Sequence, residues 1–187
     1  HSRESGNPGS YAPQARDHSV QIRIAQKVSA EDNPGPVQEV TDNEEARELL
    51  ISGQIQLLGG TRWLRARADF ARTVDVLFVD EAGQMSLANA VAVSQAATNV
   101  VLLGDPQQLE SPVKGTHPDG VGVSALQHIL GSAQTIAPDR GIFLPVTWRL
   151  APAVCAFTSE AIYERRLEPK AGLEGETLTN TRGMDGS

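Results

Sequence analysis

The apolar positions fall into short blocks of two kinds. Residues 76–79 (Val-Leu-Phe-Val) and 100–103 (Val-Val-Leu-Leu) are continuous runs without helical spacing, and each ends abruptly in polar residues. Such runs predict strands buried on both faces of a parallel sheet, with polar groups delivered at their carboxyl ends. Residues 20–24 alternate apolar and polar and predict a first strand; residues 55–58 predict another, running into Gly59-Gly60-Thr61. A further strand is expected over Ile142, Phe143, Leu144 and Val146.

Helices are marked by their starts and stops. Thr41 and Glu44 form a capping-box pattern ahead of a helix reaching about Ile51, ended by Ser52-Gly53. Ser86 caps a helix with Leu87, Ala90, Val91 and Ser94 on one face, the crossover between the two acidic strand ends. Ser124 caps a short one, stopped by Gly131. Pro152 suits the first turn of a helix whose buried stripe is expected to be Val154, Phe157 and Ala161, with Cys155 as a small core residue. The Asn33-Pro34-Gly35-Pro36 stretch breaks the chain, and residues 1–20 and the polar residues from Glu168 onward predict little order. The fold class is α/β, a parallel sheet flanked by helices.

Two strand ends place Asp80, Glu81, Asp105 and Gln108 on one rim, where open α/β sheets bind ligands. Nucleoside-triphosphate hydrolysis suits this arrangement. A strand-terminal Asp (Asp80) holds magnesium through water, and the next residue, Glu81, takes a proton from the attacking water. Gln108, at the neighbouring strand end, touches that water or the γ-phosphate.

The two stretches resemble motif II (Asp80-Glu81-Ala82-Gly83-Gln84, a Walker B variant) and motif III (residues 104–109, Gly-Asp-Pro-Gln-Gln-Leu) of superfamily one helicases. The branch is the one containing the nonsense-mediated decay helicase. Residues 59–64 (Gly-Gly-Thr-Arg-Trp-Leu) are similar to its motif Ic, and residues 147–152 (Thr-Trp-Arg-Leu-Ala-Pro) to its motif IV. The wording is closest to bacterial proteins in which such a helicase follows a RecB-like nuclease domain. The resemblance implies an incomplete RecA-like P-loop fold. Residues 21–145 would be part of the first motor domain and 146–168 the start of the second, with residues 1–20 a disordered or truncated edge and 169–187 a flexible tail.

It also implies ATP and Mg2+ as cofactors, with Asp80, Asp105, Gln108 and Arg149 around the nucleotide. Arg149 would reach the γ-phosphate with a planar, permanently charged fork. Gly60, Thr61, Arg62 and Trp63 would contact single-stranded nucleic acid, DNA favoured over RNA, through backbone and hydroxyl contacts to phosphate. Trp63, among Arg62, Arg65 and Arg67, either stacks on a base or packs beneath its loop.

Neither a Gly-x-x-x-x-Gly-Lys-Ser/Thr loop nor motifs V and VI occur in the sequence. The expectation is therefore a piece of an ATP-dependent helicase or translocase, moving 5′ to 3′ by resemblance and inactive in isolation. The alternative is a RecA-like module that binds nucleic acid or a protein without hydrolysis. A net charge of −7 does not mark a nucleic-acid binder by itself. The 4% aromatic content points to an aliphatic interior, and the single Cys155 excludes an internal disulfide. With no apolar run long enough to span a bilayer and no visible signal peptide, a cytoplasmic location without a membrane partner is expected. His117 and His128 read as solvent residues, since no second metal-type ligand stands at metal spacing.

Overall fold

A computed structural model describes residues 21–30, 37–108 and 123–175. The expected break at Asn33-Pro34-Gly35-Pro36, and the loop holding Lys114, Thr116 and His117, lie outside them. The described residues fall into two compact units, divided between Gly60 and Thr61.

In the first unit, β1 (Ile24–Lys27) is flanked by β2 (Gln38–Val40) and β3 (Leu57–Gly59), both parallel to it. The helix α1 (Asn43–Ile51) carries the chain from β2 to β3, on opposite sides of β1. Ala25, Val40, Ala46, Ile55 and Leu58 are buried there. The helix start differs from expectation by one residue. Asp42, not Thr41, is the cap, its Oδ1 accepting from the N–H groups of Glu44 at 2.8 Å and Glu45 at 2.9 Å. Both neighbours are good capping residues, but the carboxylate accepts two donors and adds a negative charge at the helix N-terminus. The helix ends as expected, at Ser52, with Gly53 in the left-handed region at φ 71°.

The second unit centres on β4 (Val74–Val79) and β5 (Ala97–Leu102), parallel and joined by α3 (Leu87–Ser94). Ser86 caps α3 through Oγ, which accepts from Asn89 N–H. Ser124 caps α4 (Ala125–Leu130) in the same way, through Gln127 N–H, and Gly131 ends it. Leu77, Val79, Ala82 and Val93 form the core here, with Met85, Leu102 and Leu126 packed around them.

Among the described residues, one face of this pair is covered. Leu77 and Val79 point into the core, whereas Val76, Phe78 and Val101 are exposed, Phe78 by 61%. The 76–79 run therefore reads as a doubly buried strand yet alternates in burial, and in the 100–103 run Val100, Val101 and Leu103 are all exposed. A strand's successive side chains face opposite ways, and α3 packs on one side only. Of the residues placed on one face of α3, Val91 points out, and Val93 takes the core position.

Strands at the far end are shorter than expected. Only β6 (Val146–Thr147) forms, while Ile142 and Leu144 are exposed. Its parallel partner is β7 (Glu168–Pro169), where order was expected to fade. Between them, α5 (Pro152–Ile162) starts on its proline as expected. Its buried stripe does not follow expectation: Val154, Phe157 and Ala161 are exposed, and Cys155 and Ser159 are buried. The covering chain explains the rotation. Ser159 Oγ accepts from Leu167 N–H at 3.0 Å, Ser159 O from Arg165 N–H at 2.8 Å, and the Cys155 thiol lies 3.7 Å from Leu167 O. Cys155 is the small core residue the sequence suggested.

Candidate active site at two parallel strand ends

The chain leaves β4 through Asp80 and Glu81. Asp80 Oδ1 accepts from Glu81 N–H at 3.0 Å, and Glu81 adopts φ 53°, a left-handed backbone that non-glycine residues avoid. The turn is held there by the neighbouring strand end. Leu103 N–H donates to Val79 O and Ala82 N–H to Leu103 O, both at 2.8 Å, so the ladder runs past both strands.

Two glycines let these turns interlock. A Cβ on Gly83 would stand 2.1 Å from Asp105 O; one on Gly104, at φ 146°, would stand 2.9 Å from Ala82 N. Across the junction, Gln84 Nε2 donates to Gln108 Oε1 at 3.2 Å. That bond fixes the amide of Gln108 with its NH2 group left to donate elsewhere. Asp80, Glu81, Gln84 and Gln108 are thus gathered on one exposed rim.

Asp105 sits beneath this rim. Its Oδ1 accepts from Gln107 N–H at 2.9 Å, and its Oδ2 accepts from the hydroxyl of Tyr163. Its carboxylate is occupied in holding the turn. Burial, reinforced by the Asp105 hydrogen bond and charge, pushes the Tyr163 phenol well above its ordinary range, so it stays a donor.

Arg149 is not brought to this rim. It is exposed, its backbone N–H donating to Thr147 Oγ1 at 3.3 Å. It precedes α5, whose far end carries the Tyr163 that touches Asp105. Eleven helical residues, about 16 Å, separate those ends. Trp148 beside it is exposed and stacked under Lys170, whose Nζ lies 3.1 Å from the ring centroid.

Gly60 and Thr61 are exposed at the boundary of the two units. Thr61 precedes α2 (Arg62–Arg65) and makes no side-chain capping bond. Trp63 is 71% exposed, with the Arg62 guanidinium 5.3 Å from its ring centroid, so it does not pack beneath its loop. The buried residues of this helix are Leu64 and Arg65, the latter 5.7 Å over the Phe70 ring. Arg67 pairs with Asp69 at 2.8 Å.

No cluster of three or more His, Cys, Asp or Glu suited to a metal occurs among the described residues. His128 is exposed, and His117 lies outside them. Asp80 nonetheless fits magnesium. It is exposed and uses one oxygen on Glu81 N–H, and that ion keeps waters and phosphate oxygens as most of its ligands. Sequence reasoning placed Asp80, Glu81 and Gln108 at these strand ends but gave no role to Gln84, Gly83, Gly104 or Tyr163. The glycines were visible as small residues after strands; nothing local marked Tyr163.

Residues 37–128 match a family model described as an AAA domain. No curated protein matches the chain. Among the described residues, no helix is long and apolar enough to cross a membrane.

Proposed function

We propose, from the AAA-domain match over residues 37–128, that this chain carries the hydrolytic rim of an ATP-dependent helicase or translocase. The observation that supports it most is the Gln84–Gln108 hydrogen bond between strand ends carrying Asp80-Glu81 and the Asp105 turn. A structural acid cap on β4 would need no glutamine relay to the next strand.

In this reading Asp80 would hold magnesium through water, and that site would supply positive charge toward the nucleotide phosphates. Glu81 takes the proton of the attacking water. Gln108, oriented by Gln84, donates to the γ-phosphate or to that water and so senses whether the phosphate is there. Arg149 arrives from its own segment when the nucleotide site closes, adding a permanent positive charge to the transferring phosphoryl group. Thr61 and the exposed Arg62–Trp63 pair, next to Gly60, grip single-stranded nucleic acid through phosphate contacts and base stacking. DNA as the strand and 5′ to 3′ travel follow from the superfamily one resemblance. The phosphate-cradling loop comes from outside these 187 residues, as would a RecB-like nuclease domain.

The test is magnesium-ATP turnover by the full-length protein, with and without single-stranded DNA. Strand-stimulated turnover supports a translocating motor. Strand binding without turnover leaves instead the non-hydrolysing RecA-like module, for which the exposed Trp63 would be the main observation.

A further inference from the structure

We infer that Tyr163 is a positioning residue for the Gln108 turn, holding Asp105 from below so that Gln108 presents its amide in one place. The inference rests on reading Gln108 as the group that meets the γ-phosphate.

The turn over residues 105–108 is tied at three points. Gln84 holds Gln108 from the side, and Gln107 Nε2 donates to Gln134 O at 3.2 Å. The third tie is Asp105, whose second oxygen is taken by Tyr163, 58 residues along the chain. Tyr163 is itself firmly set. It closes α5, one turn on from Ser159 and two from Cys155, on the covered side of the helix. Its ring lies 6.3 Å from that of Phe143, which the Arg166 guanidinium covers at 4.5 Å. Arg166 Nη1 donates to Thr135 Oγ1 at 2.7 Å and to Ile136 O at 3.1 Å, and Thr135 donates in turn to Glu164. The chain around Tyr163 is thereby pinned to the segment that also receives Gln107.

This is more than helix docking. The covered face of α5 is already held by Cys155, Ser159 and the Leu167 backbone, none of which needs the phenol oxygen. Removing that oxygen leaves those contacts and the tilted contact with the Phe143 ring in place. What it removes is one of the two hydrogen-bond partners of the Asp105 carboxylate among the described residues, and with it the lower support of the Gln108 turn. Because α5 follows Arg149, the same bond ties the turn to the helix that Arg149 leads into. A shift of the turn on phosphate release would then be felt along α5.

The test is Tyr163→Phe in the full-length protein, with two readouts beside the wild type and Glu81→Gln. Amide exchange at Gln107 and Gln108, the hydrogen-bonded amides of residues 105–108, is expected to quicken about tenfold, while exchange over 155–159 stays at the wild-type rate. Strand-stimulated kcat for ATP is expected to fall about tenfold with KM within twofold, since only phosphate positioning is lost. Unchanged exchange at Gln107 and Gln108 overturns the inference. So does faster exchange with unchanged kcat, which would make the bond merely structural, or a parallel speeding of exchange at 155–159, which would mean α5 itself had come loose. Absent turnover in the wild type overturns the proposed function and this inference with it. Wild-type turnover lost in Glu81→Gln but untouched in Tyr163→Phe overturns this inference alone.

Discussion

Replacing Gly83 by Ala tests how tightly the two strand ends interlock. The added Cβ would stand 2.1 Å from Asp105 O, 2.9 Å from Asp105 C and 3.4 Å from Pro106 N. Carbon atoms settle at about 3.5 Å or more from their neighbours, so the turns must part by about 1 Å. All three obstructing atoms are backbone, so no side chain can swing aside. Parting the turns strains the Ala82 N–H to Leu103 O bond and the Gln84–Gln108 bond together. Overpacking of this kind costs about 3 kcal/mol. With a urea slope of about 2 kcal/mol/M, the midpoint should fall by about 1.5 M. Far-ultraviolet circular dichroism in urea is the assay, because both Trp63 and Trp148 are exposed and report burial poorly. Two controls separate clash from conformation. Gly175→Ala meets nothing within 4 Å and should unfold as wild type. Gly53→Ala also meets open space but holds φ 71°, and should cost about 1 kcal/mol from backbone strain alone. A Gly83→Ala midpoint equal to the wild type would refute the interlock.

Three further outcomes follow from burial and charge. Phe70→Ala should destabilise by about 3–5 kcal/mol, since that ring is fully buried, whereas Phe157→Ala, 74% exposed, should stay within about 0.5 kcal/mol; equal urea midpoints for the two would contradict the placement of α5. Cys155 has no exposed surface, and burial, aided by Glu168, pushes its thiol above the ordinary 9.0; iodoacetamide at pH 8 should label it only in denaturant, and rapid native labelling would refute its burial. Asp42 is held below its ordinary 3.8, chiefly by the Glu45 N–H, so its support of α1 is complete above that range and drains as pH falls beneath it; Asp42→Ala should flatten that acid-range loss of helix signal, and an unchanged profile would refute the cap.

Local chemistry made much of this chain legible. Ser86, Ser124 and Pro152 start their helices where expected because a cap or a fixed φ acts within one turn of chain. The acidic strand ends were legible for the same reason: a short apolar run stopped by Asp80 or Gly104-Asp105 has few other structures open to it. The face that each element buries was not. Phe78 and Phe157 are as apolar as any core residue, and only the placement of α3 and of residues 165–167 decides that they point outward. Thr41 and Asp42 compete for one cap, and the residue with charge and two accepted bonds takes it. Tyr163 carries no signal for Asp105, since the bond between them spans 58 residues and depends on how α5 is turned.

The proposed function has Glu81 take the proton of the attacking water and Gln108 meet the γ-phosphate that this water attacks. Its most direct measurement is single-strand-stimulated ATP turnover by full-length wild type, Glu81→Gln and Gln108→Ala, assayed with nucleotide binding. Glu81→Gln is expected to lose 10²-fold to 10⁴-fold in kcat, Gln108→Ala to lose kcat as well, and both still to bind ATP. Turnover that survives Glu81→Gln would contradict it.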